Sequence, residues 1–265
     1  MNVGKVIRLS RMTNPKSGRV FFATIDHGFH RGVLPGIENI EAAIKKIADG
    51  GPDVMTMHKG LAKKYFPPHA ANICLAIKST TFSPYHPNLD VPVAEVQEVQ
   101  KMGADAVSIG LLTGTKDQPA MFQHMGRISR DCEGRGMPLI VHAYPKGEMI
   151  KDEERYAYEH VSYAVRAAVE CGADIVKTWY TGDYESFARV VGSSHGRVVA
   201  AGGAKMKDTE SFFKVTYDVI RAGAFGVAYG RNIFQAKDPA RMVIALKSII
   251  HEGNTPAQAM EVLHG

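Results

Sequence analysis

Short apolar, β-branched runs recur along the chain, and each is bounded by Gly, Asp or Pro. Such runs predict strands of a parallel sheet, because these strands are buried on both faces and lack polar alternation. Eight runs have this character: 19–25, 53–58, 72–77, 104–109, 138–143, 173–176, 197–200 and 225–229. The third follows the second after only a short gap.

Most of the gaps between these runs carry an amphipathic helical pattern, as in residues 37–48 and 160–170. A glycine near the end of several of these gaps supplies the left-handed conformation that terminates helices. Alternating strands and helices within about 250 residues predict an α/β fold, a (β/α)8 TIM barrel, with a doubly wound open sheet as the alternative. No linker-like segment interrupts the pattern, so residues 1–265 are interpreted as a single domain.

Composition excludes several other classes of protein. The chain has 32 Lys and Arg against 27 Asp and Glu, which favours anionic ligands without identifying them. No basic run predicts a nucleic-acid partner, and no apolar stretch approaches the ~20 residues of a membrane span. The three cysteines are widely spaced, and no metal-ligand spacing is found. We therefore expect a cytoplasmic protein that needs no metal or cofactor.

In a TIM barrel the functional residues lie at the carboxyl ends of the strands. Glycines and cations follow the last two predicted strands: Gly202, Gly203, Lys205, Gly230 and Arg231. Glycine loops let backbone N–H groups approach an oxyanion, and arginine adds a bidentate charge. Barrels often bind phosphate after strands seven and eight, so these loops predict a phosphate site.

Lys177 directly follows the apolar run 173–176. A lysine at this rim costs free energy unless it pairs with an anion or loses its proton. A neutral amine attacks carbonyl groups to form a Schiff base, whereas a charged one binds a substrate anion. The pattern leaves both roles open, and other lysines at the strand ends compete for them: Lys59, Lys78, Lys146 and Lys205.

Three further residues at strand ends are candidates for the chemistry. Asp26 could transfer protons, hydrogen-bond substrate hydroxyls or cap a turn. His27 could bind a hydroxyl or simply pack at the rim. Tyr144 ends the fifth run, next to the sixth, where a phenol could exchange a proton with a carbon attached to Lys177.

In order and spacing, these motifs resemble the archaeal-type class I fructose-bisphosphate aldolase family. The segments that carry the resemblance are 25–28, 58–60, 136–147, 174–178, 180–183, 201–205 and 230–235. The resemblance implies a TIM barrel and a metal-independent lyase in which Lys177 forms the Schiff base and Tyr144 transfers protons. It also implies that Asp26 is catalytic or positions substrate, that the two glycine loops bind phosphate, and that the chain forms a homo-oligomer.

Related branches use the same framework for other reactions. One is an aminodeoxyheptulosonate synthase that works by transaldol chemistry, and another is a thiolase for a phosphorylated autoinducer. The thiolase branch lacks the Tyr-Pro segment, so Tyr144 argues against it. We expect a class I aldolase for a phosphorylated ketose, such as fructose 1,6-bisphosphate, with a dihydroxyacetone phosphate-like moiety. A non-catalytic phosphosugar-binding protein is the alternative from another class.

Two strand ends depart from the aldolase pattern, at residues 76–81 and 108–112. Both lie on the predicted rim, where they would alter contacts to the end of the substrate that carries no bound phosphate. Lys78 could bind a second anionic group there or remain a solvated rim lysine.

Overall fold

The computed structural model describes residues 2–265 and contains a closed barrel of eight parallel strands. The barrel strands are β1 (Val20–Thr24), β2 (Val54–Met57), β3 (Cys74–Lys78), β6 (Ala106–Leu112), β7 (Leu139–Tyr144), β8 (Ile175–Trp179), β9 (Arg197–Ala201) and β10 (Gly226–Tyr229). Around the ring their order is β1, β10, β9, β8, β7, β6, β3 and β2. The predicted TIM barrel and its eight strands are confirmed.

Helices cover the outside of the barrel and occupy most strand connections. They are α1 (Val3–Met12), α2 (His27–Arg31), α3 (Ile40–Asp49), α4 (Lys59–Tyr65), α5 (Val96–Lys101), α6 (Gln118–Arg135), α7 (Tyr158–Glu170), α8 (Tyr184–Ser194), α9 (Thr209–Arg221), α10 (Arg231–Phe234), α11 (Pro239–Glu252) and α12 (Pro256–His264), with a 3₁₀ turn at Pro67–His69. Within residues 2–265, none of the helices combines the length and apolar character needed to cross a membrane.

The strands are buried on both faces, and alternate side chains point into the barrel or towards the helices. On β8, Ile175 belongs to the apolar cluster inside the barrel, whereas Val176 packs in the outer cluster under the helices. Lys177 lies two residues after Ile175 and therefore points inward. Alternation thus places the lysine inside the barrel mouth.

The amino-terminal end of the barrel is covered by α1. Leu9 and Met12 of this helix pack in the inner cluster with Val20 and Ile175, which lie at or near the strand beginnings. Lys5 of the same helix is buried and paired with Glu133 and Asp174, at 2.8 and 2.9 Å. This end of the barrel is therefore closed by packed side chains.

Two strands continue three residues past their predicted ends. β8 extends to Trp179, which pairs with Ala201, and β6 extends to Leu112, which pairs with Tyr144. The predicted runs stop just before Lys177 and Gly110, so both strands were expected to end there. In the barrel, these residues face the cavity while the backbone ladder continues.

An antiparallel hairpin that the sequence did not predict follows β3 directly. It consists of β4 (Thr80–Ser83) and β5 (His86–Pro92). β5 is largely exposed and contains two prolines, so it lacks the apolar pattern of the barrel strands. The hairpin lies beside α2 and β6, at the barrel mouth.

Candidate active site

A cavity of about 340 Å³ opens at the carboxyl ends of the strands. It brings together most of the residues predicted to form the site: Asp26, His27, Lys78, Tyr144, Lys177, Gly202, Gly203, Gly230 and Arg231. They come from β1, β3, β7, β8, β9 and β10 and from the residues that follow these strands. The position of the site at this end of the barrel is the one expected for a TIM barrel.

Two other predicted binding residues do not line this cavity. Lys59 lies at the start of α4, and its ammonium pairs with Glu98 at 3.0 Å. Lys205 lies beyond the glycine pair, where its ammonium donates a hydrogen bond to the carbonyl of Gln235. The ammonium groups of both lysines therefore bind protein oxygens outside the cavity that contains Lys177.

Lys177 is 7% exposed and lies at the centre of this cluster. Burial lowers the pKa of its amine to about 8; Asp26 opposes the shift and the positive charge of Lys78 adds to it. In the described chain, the amine has neither a hydrogen bond nor an ion pair. About a tenth of Lys177 is therefore neutral at pH 7, far more than for an ordinary lysine, and a neutral amine is the form that attacks carbonyl groups.

Asp26 is 4% exposed and follows β1. Burial disfavours its charge, but the nearby cation of Lys177 keeps the pKa of the carboxyl well below its usual range. His27 lies 3.5 Å from this carboxylate, and burial lowers the pKa of its imidazole to about 4. Asp26 is thus a permanent anion within reach of the charge on Lys177.

Tyr144 ends β7, and its ring stacks on Trp179 of β8. The ring centroids are 4.7 Å apart with an interplanar angle of 20°. Trp179 in turn contacts Tyr156 and the guanidinium of Arg155. Burial raises the pKa of the Tyr144 phenol above its usual value, so the hydroxyl is protonated at neutral pH. Stacking on Trp179 therefore keeps the protonated hydroxyl of Tyr144 next to β8, the strand that carries Lys177.

His142 is a cavity residue that pairs in register with Lys177 on the adjoining strand. Its Nε2 lies 2.8 Å from the hydroxyl of Ser108. Burial, with the charges of Lys177 and Lys78, lowers the pKa of His142 well below its usual value, and burial lowers that of His30 to about 3. These imidazoles are neutral donors or acceptors in the cavity.

The two glycine loops are joined by a buried side chain. Asn232 donates hydrogen bonds to the carbonyls of Gly202 and Ala204 at 3.2 and 3.1 Å, and it accepts one from the N–H of Met206 at 2.9 Å. Gly203 has a φ of 63°, a conformation that favours glycine. Asn232 therefore links the two loops, and the buried Nε–H of Arg231 beside them has no hydrogen-bond partner in residues 2–265.

The third and fourth strand ends, which depart from the aldolase pattern, both contact Asp90 of the hairpin. The ammonium of Lys78 donates to Thr80 Oγ1 at 2.8 Å and lies 3.6 Å from Asp90 Oδ2. Thr80 also bonds Asp90, and the N–H of Gly110 donates to Asp90 Oδ2 at 2.9 Å. Lys78 is therefore a buried, paired lysine and not a solvated rim residue.

The sequence analysis missed several cavity residues: His30, Asp90, His142, Arg155 and Trp179. His142 had a usable signal, because it lies two residues before Tyr144 and shares its strand face. Asp90 had none, since an unpredicted hairpin carries it into the site. Within the part of the chain that the structure describes, no group of three His, Cys, Asp or Glu residues is placed to hold a metal ion.

Comparison with known proteins gives the same family. A family model described as DeoC/LacD family aldolase matches residues 20–236. The chain is 32% identical over 256 residues to a 2-amino-4,5-dihydroxy-6-oxo-7-(phosphonooxy)heptanoate synthase of Streptomyces griseus, covering 96% of this chain and 92% of the relative. It is 31% identical over 261 residues to a 2-amino-3,7-dideoxy-D-threo-hept-6-ulosonate synthase of Halobacterium salinarum, covering 98% and 96%.

A solved structure of an archaeal fructose-1,6-bisphosphate aldolase, with its catalytic lysine covalently bound to a carbinolamine intermediate, is also similar. The TM-score is 0.85 at 29% identity, covering 93% of this chain and 99% of that one. The resemblance predicted from the motifs is confirmed, and the enzyme is a Schiff-base-type aldolase in its fold and family. The chain belongs to the DeoC/LacD family of aldolases.

Proposed function

We propose that this enzyme makes or breaks a carbon–carbon bond in a phosphorylated ketose through a Schiff base on Lys177. The observation that carries the proposal is the state of Lys177, whose amine is buried, unpaired among the described residues and lowered in pKa to about 8. No other lysine that lines the cavity combines these properties. Lys78 is hydrogen-bonded, and Lys146 donates to the carbonyl of Pro87.

The reaction would begin with attack of the neutral Lys177 amine on the ketone carbon of the substrate. The resulting carbinolamine loses water to give an iminium ion. This cation accepts the electron pair released when the bond between the α and β carbons breaks, while the β-hydroxyl gives up its proton and becomes the carbonyl of the departing aldehyde. In the direction of synthesis, the enamine attacks the carbonyl carbon of an aldehyde. Asp26, held as an anion, stabilises the iminium charge.

Tyr144 is the proton-transfer group in this mechanism. Its phenol is protonated at neutral pH, and stacking on Trp179 fixes the ring beside β8. Protonation of the enamine carbon by Tyr144 regenerates the iminium ion, and hydrolysis of this iminium by water releases the ketone fragment and the free lysine. The reverse proton transfer, from the iminium carbon to Tyr144, generates the enamine nucleophile. The neutral imidazole of His142, whose residue pairs in register with Lys177, would hydrogen-bond the carbinolamine hydroxyl.

The phosphate group of the ketose would bind at Gly202, Gly203, Gly230 and Arg231. Arginine and loop N–H groups suit a phosphate, and binding of this non-reacting group orients the ketone at Lys177. The cavity lining supports an anionic substrate, because six Lys and Arg side chains face it with only two carboxylates.

A second candidate is a transaldol reaction, in which the ketone fragment bound to Lys177 passes to another aldehyde. The specific observation in its favour is that the two curated relatives at 32% and 31% identity are synthases of aminated seven-carbon compounds. The departures at the third and fourth strand ends support it as well. They change the side of the cavity away from the phosphate loops, where an acceptor aldehyde would bind.

Borohydride trapping tests the shared mechanism. The enzyme is incubated with dihydroxyacetone phosphate, reduced, digested and analysed by mass spectrometry. We expect a reduced adduct on Lys177 in the wild type, and the same adduct after treatment with EDTA. An active enzyme without an adduct on Lys177 would contradict the Schiff-base mechanism.

Product analysis separates the two candidates. Fructose 1,6-bisphosphate is supplied alone, and then with a panel of acceptor aldehydes. Release of triose phosphates from the bisphosphate alone supports the aldolase. A reaction that proceeds only when an acceptor is added supports ketone transfer.

A further inference from the structure

We propose that Asp90 binds a hydroxyl or ammonium group of the aldehyde that reacts with the fragment on Lys177, and so sets the selectivity for that aldehyde. This inference rests on the proposed function, and it concerns the side of the cavity opposite the phosphate loops.

The two oxygens of the Asp90 carboxylate have different surroundings. Oδ2 accepts hydrogen bonds from Thr80 and from the N–H of Gly110, and it faces the ammonium of Lys78. Oδ1 is buried and has no hydrogen-bond partner anywhere in residues 2–265. A buried carboxylate oxygen without a donor costs free energy, and Asp90 lines the cavity. The group that best satisfies Oδ1 is therefore a donor on a bound ligand.

The position of Asp90 in the ring identifies which part of the ligand it meets. The phosphate loops follow β9 and β10, whereas Lys78 and Gly110 lie on β3 and β6. In the ring order, β3 is four strands from β9 and β6 is four strands from β10, so the two groups face each other across the mouth. A ketone with its phosphate at β9 and β10, and its carbonyl at Lys177, leaves the Asp90 side for the reacting aldehyde.

The surrounding residues are shaped to hold this carboxylate. A Cβ added at Gly110 would overlap the carboxylate of Asp90, so glycine is needed at that position. Thr80 bridges Lys78 and Asp90 with one hydroxyl. The two strand ends that depart from the aldolase pattern thus form one arrangement, in which Oδ2 is anchored and Oδ1 is left for a ligand.

The charge of the arrangement defines the ligand chemistry. Lys78 compensates the charge of Asp90, while the oxygen left unpaired is an acceptor. A hydroxyl or an ammonium group satisfies it, whereas a carboxylate or phosphate would be repelled.

The test measures acceptor selectivity in wild-type enzyme and in Asp90→Asn. Three aldehydes of matched length carry a hydroxyl group, an ammonium group or hydrogen at the same carbon, with dihydroxyacetone phosphate as the donor. We expect the wild type to prefer a donor-bearing aldehyde over the hydrogen analogue by about 10–100-fold in kcat/KM, and Asp90→Asn to reduce this preference about tenfold. The asparagine oxygen must accept from the N–H of Gly110, so an NH2 group replaces the unpaired oxygen and no longer accepts a hydrogen bond from the ligand. The donor-bearing aldehyde that the wild type prefers identifies the group that Asp90 binds, and the loss in Asp90→Asn should be largest for that aldehyde.

Two further variants guard against a purely structural effect. His86→Ala changes an exposed residue of the same hairpin and should leave the preference unchanged. Gly110→Ala displaces the carboxylate without removing it and should reproduce the lost preference, which keeps the test available if Asp90→Asn folds poorly. Equal loss with all three aldehydes in both Asp90→Asn and Gly110→Ala would overturn the proposal.

The proposed function is assessed in the same samples by borohydride trapping with dihydroxyacetone phosphate. An unchanged Lys177 adduct in Asp90→Asn, together with lost preference, supports the role of Asp90. An unchanged adduct with unchanged preference overturns that role alone. Absence of the adduct in active wild-type enzyme overturns the proposed mechanism instead.

Discussion

Two buried lysines, Lys78 and Lys177, point into the same cavity from the carboxyl ends of their strands. They are 6% and 7% exposed, so burial alone does not distinguish them. Lys78 donates to Thr80 and faces Asp90 at 3.6 Å, whereas Lys177 has no comparable partner in the chain that the structure describes. The partners of the two ammonium groups, and not the depth of burial, therefore distinguish the two lysines.

The two carboxylates of the cavity differ in the same way. Asp90 is bound through one oxygen and compensates Lys78 directly. Asp26 acts on Lys177 through its charge, without an ion-pair contact. An anion at that distance stabilises an iminium charge without holding the free amine in its protonated, hydrogen-bonded form.

The largest predicted effect is the contrast between the two lysines when each is replaced by methionine. Lys177→Met removes the nucleophile and should lower kcat by roughly 10³-fold or more, with loss of the trapped adduct. Lys78→Met should keep the adduct on Lys177, although it leaves Asp90 without its cation. Steady-state rates and trapping yields measure both, with thermal midpoints as the check on folding. An adduct that survives in Lys177→Met, or disappears in a folded Lys78→Met, would break the distinction between the lysines.

Tyr144→Phe should separate formation of the Schiff base from the later proton transfer. The phenylalanine keeps the ring that stacks on Trp179 and removes only the phenolic proton. We expect kcat to fall by about 10²–10³-fold while the adduct with dihydroxyacetone phosphate still forms on Lys177. Exchange of the α-hydrogen of dihydroxyacetone phosphate with deuterated solvent reports the lost step. Normal exchange in Tyr144→Phe would assign the proton transfer to another group.

Arg231→Met tests whether the phosphate is bound away from both lysines. Loss of a charged donor to phosphate should lower kcat/KM for phosphorylated substrates by about 10–100-fold, mainly through KM. The unphosphorylated ketone dihydroxyacetone should lose little. Equal losses with both ketones would mean that Arg231 supports the fold or the chemistry and not the phosphate.

The pH dependence distinguishes the lysines by a smaller, graded effect. With a pKa of about 8, Lys177 is increasingly protonated as the pH falls, so kcat/KM should drop about tenfold per pH unit below 8 and level off above it. In Lys78→Met the inflection should move to higher pH, because the cation that helps to lower the Lys177 pKa is gone. An ordinary lysine would instead give a rate that still rises towards pH 10.

The sequence was sufficient to predict the barrel and the grouping of Lys177, Tyr144 and Arg231 in one cavity, because both follow from local patterns. Buried parallel strands are nearly continuous apolar runs, and the residues at their carboxyl ends converge once the barrel closes. Lys177, Tyr144 and Arg231 could therefore be placed in one cavity before any coordinates were known.

The hairpin side could not be predicted in the same way. Residues 80–92 include exposed, proline-containing β5, whose pairing depends on contacts with β6 and α2. Asp90 reaches the cavity only through this pairing, and Lys78 acquires its partner from it. Lys59 lies outside the cavity, at the start of α4, and pairs there with Glu98 of α5. At both Lys59 and Lys78, the partner of the ammonium group comes from a distant segment, which the local sequence pattern does not reveal.

The smallest predicted effect concerns Trp179, which shares β8 with Lys177. Its ring stacks on Tyr144 and contributes no proton or charge to the reaction, so Trp179→Leu should lower kcat by only about 2–10-fold. If the indole acts by positioning the phenol, the same substitution in the Tyr144→Phe background should cost almost nothing, since the phenolic proton is already absent. The double-mutant cycle is measured by kcat, with adduct yield on Lys177 as the control. Equal costs in both backgrounds would show that Trp179 supports the lysine strand itself, and the positioning of Tyr144 would need another explanation.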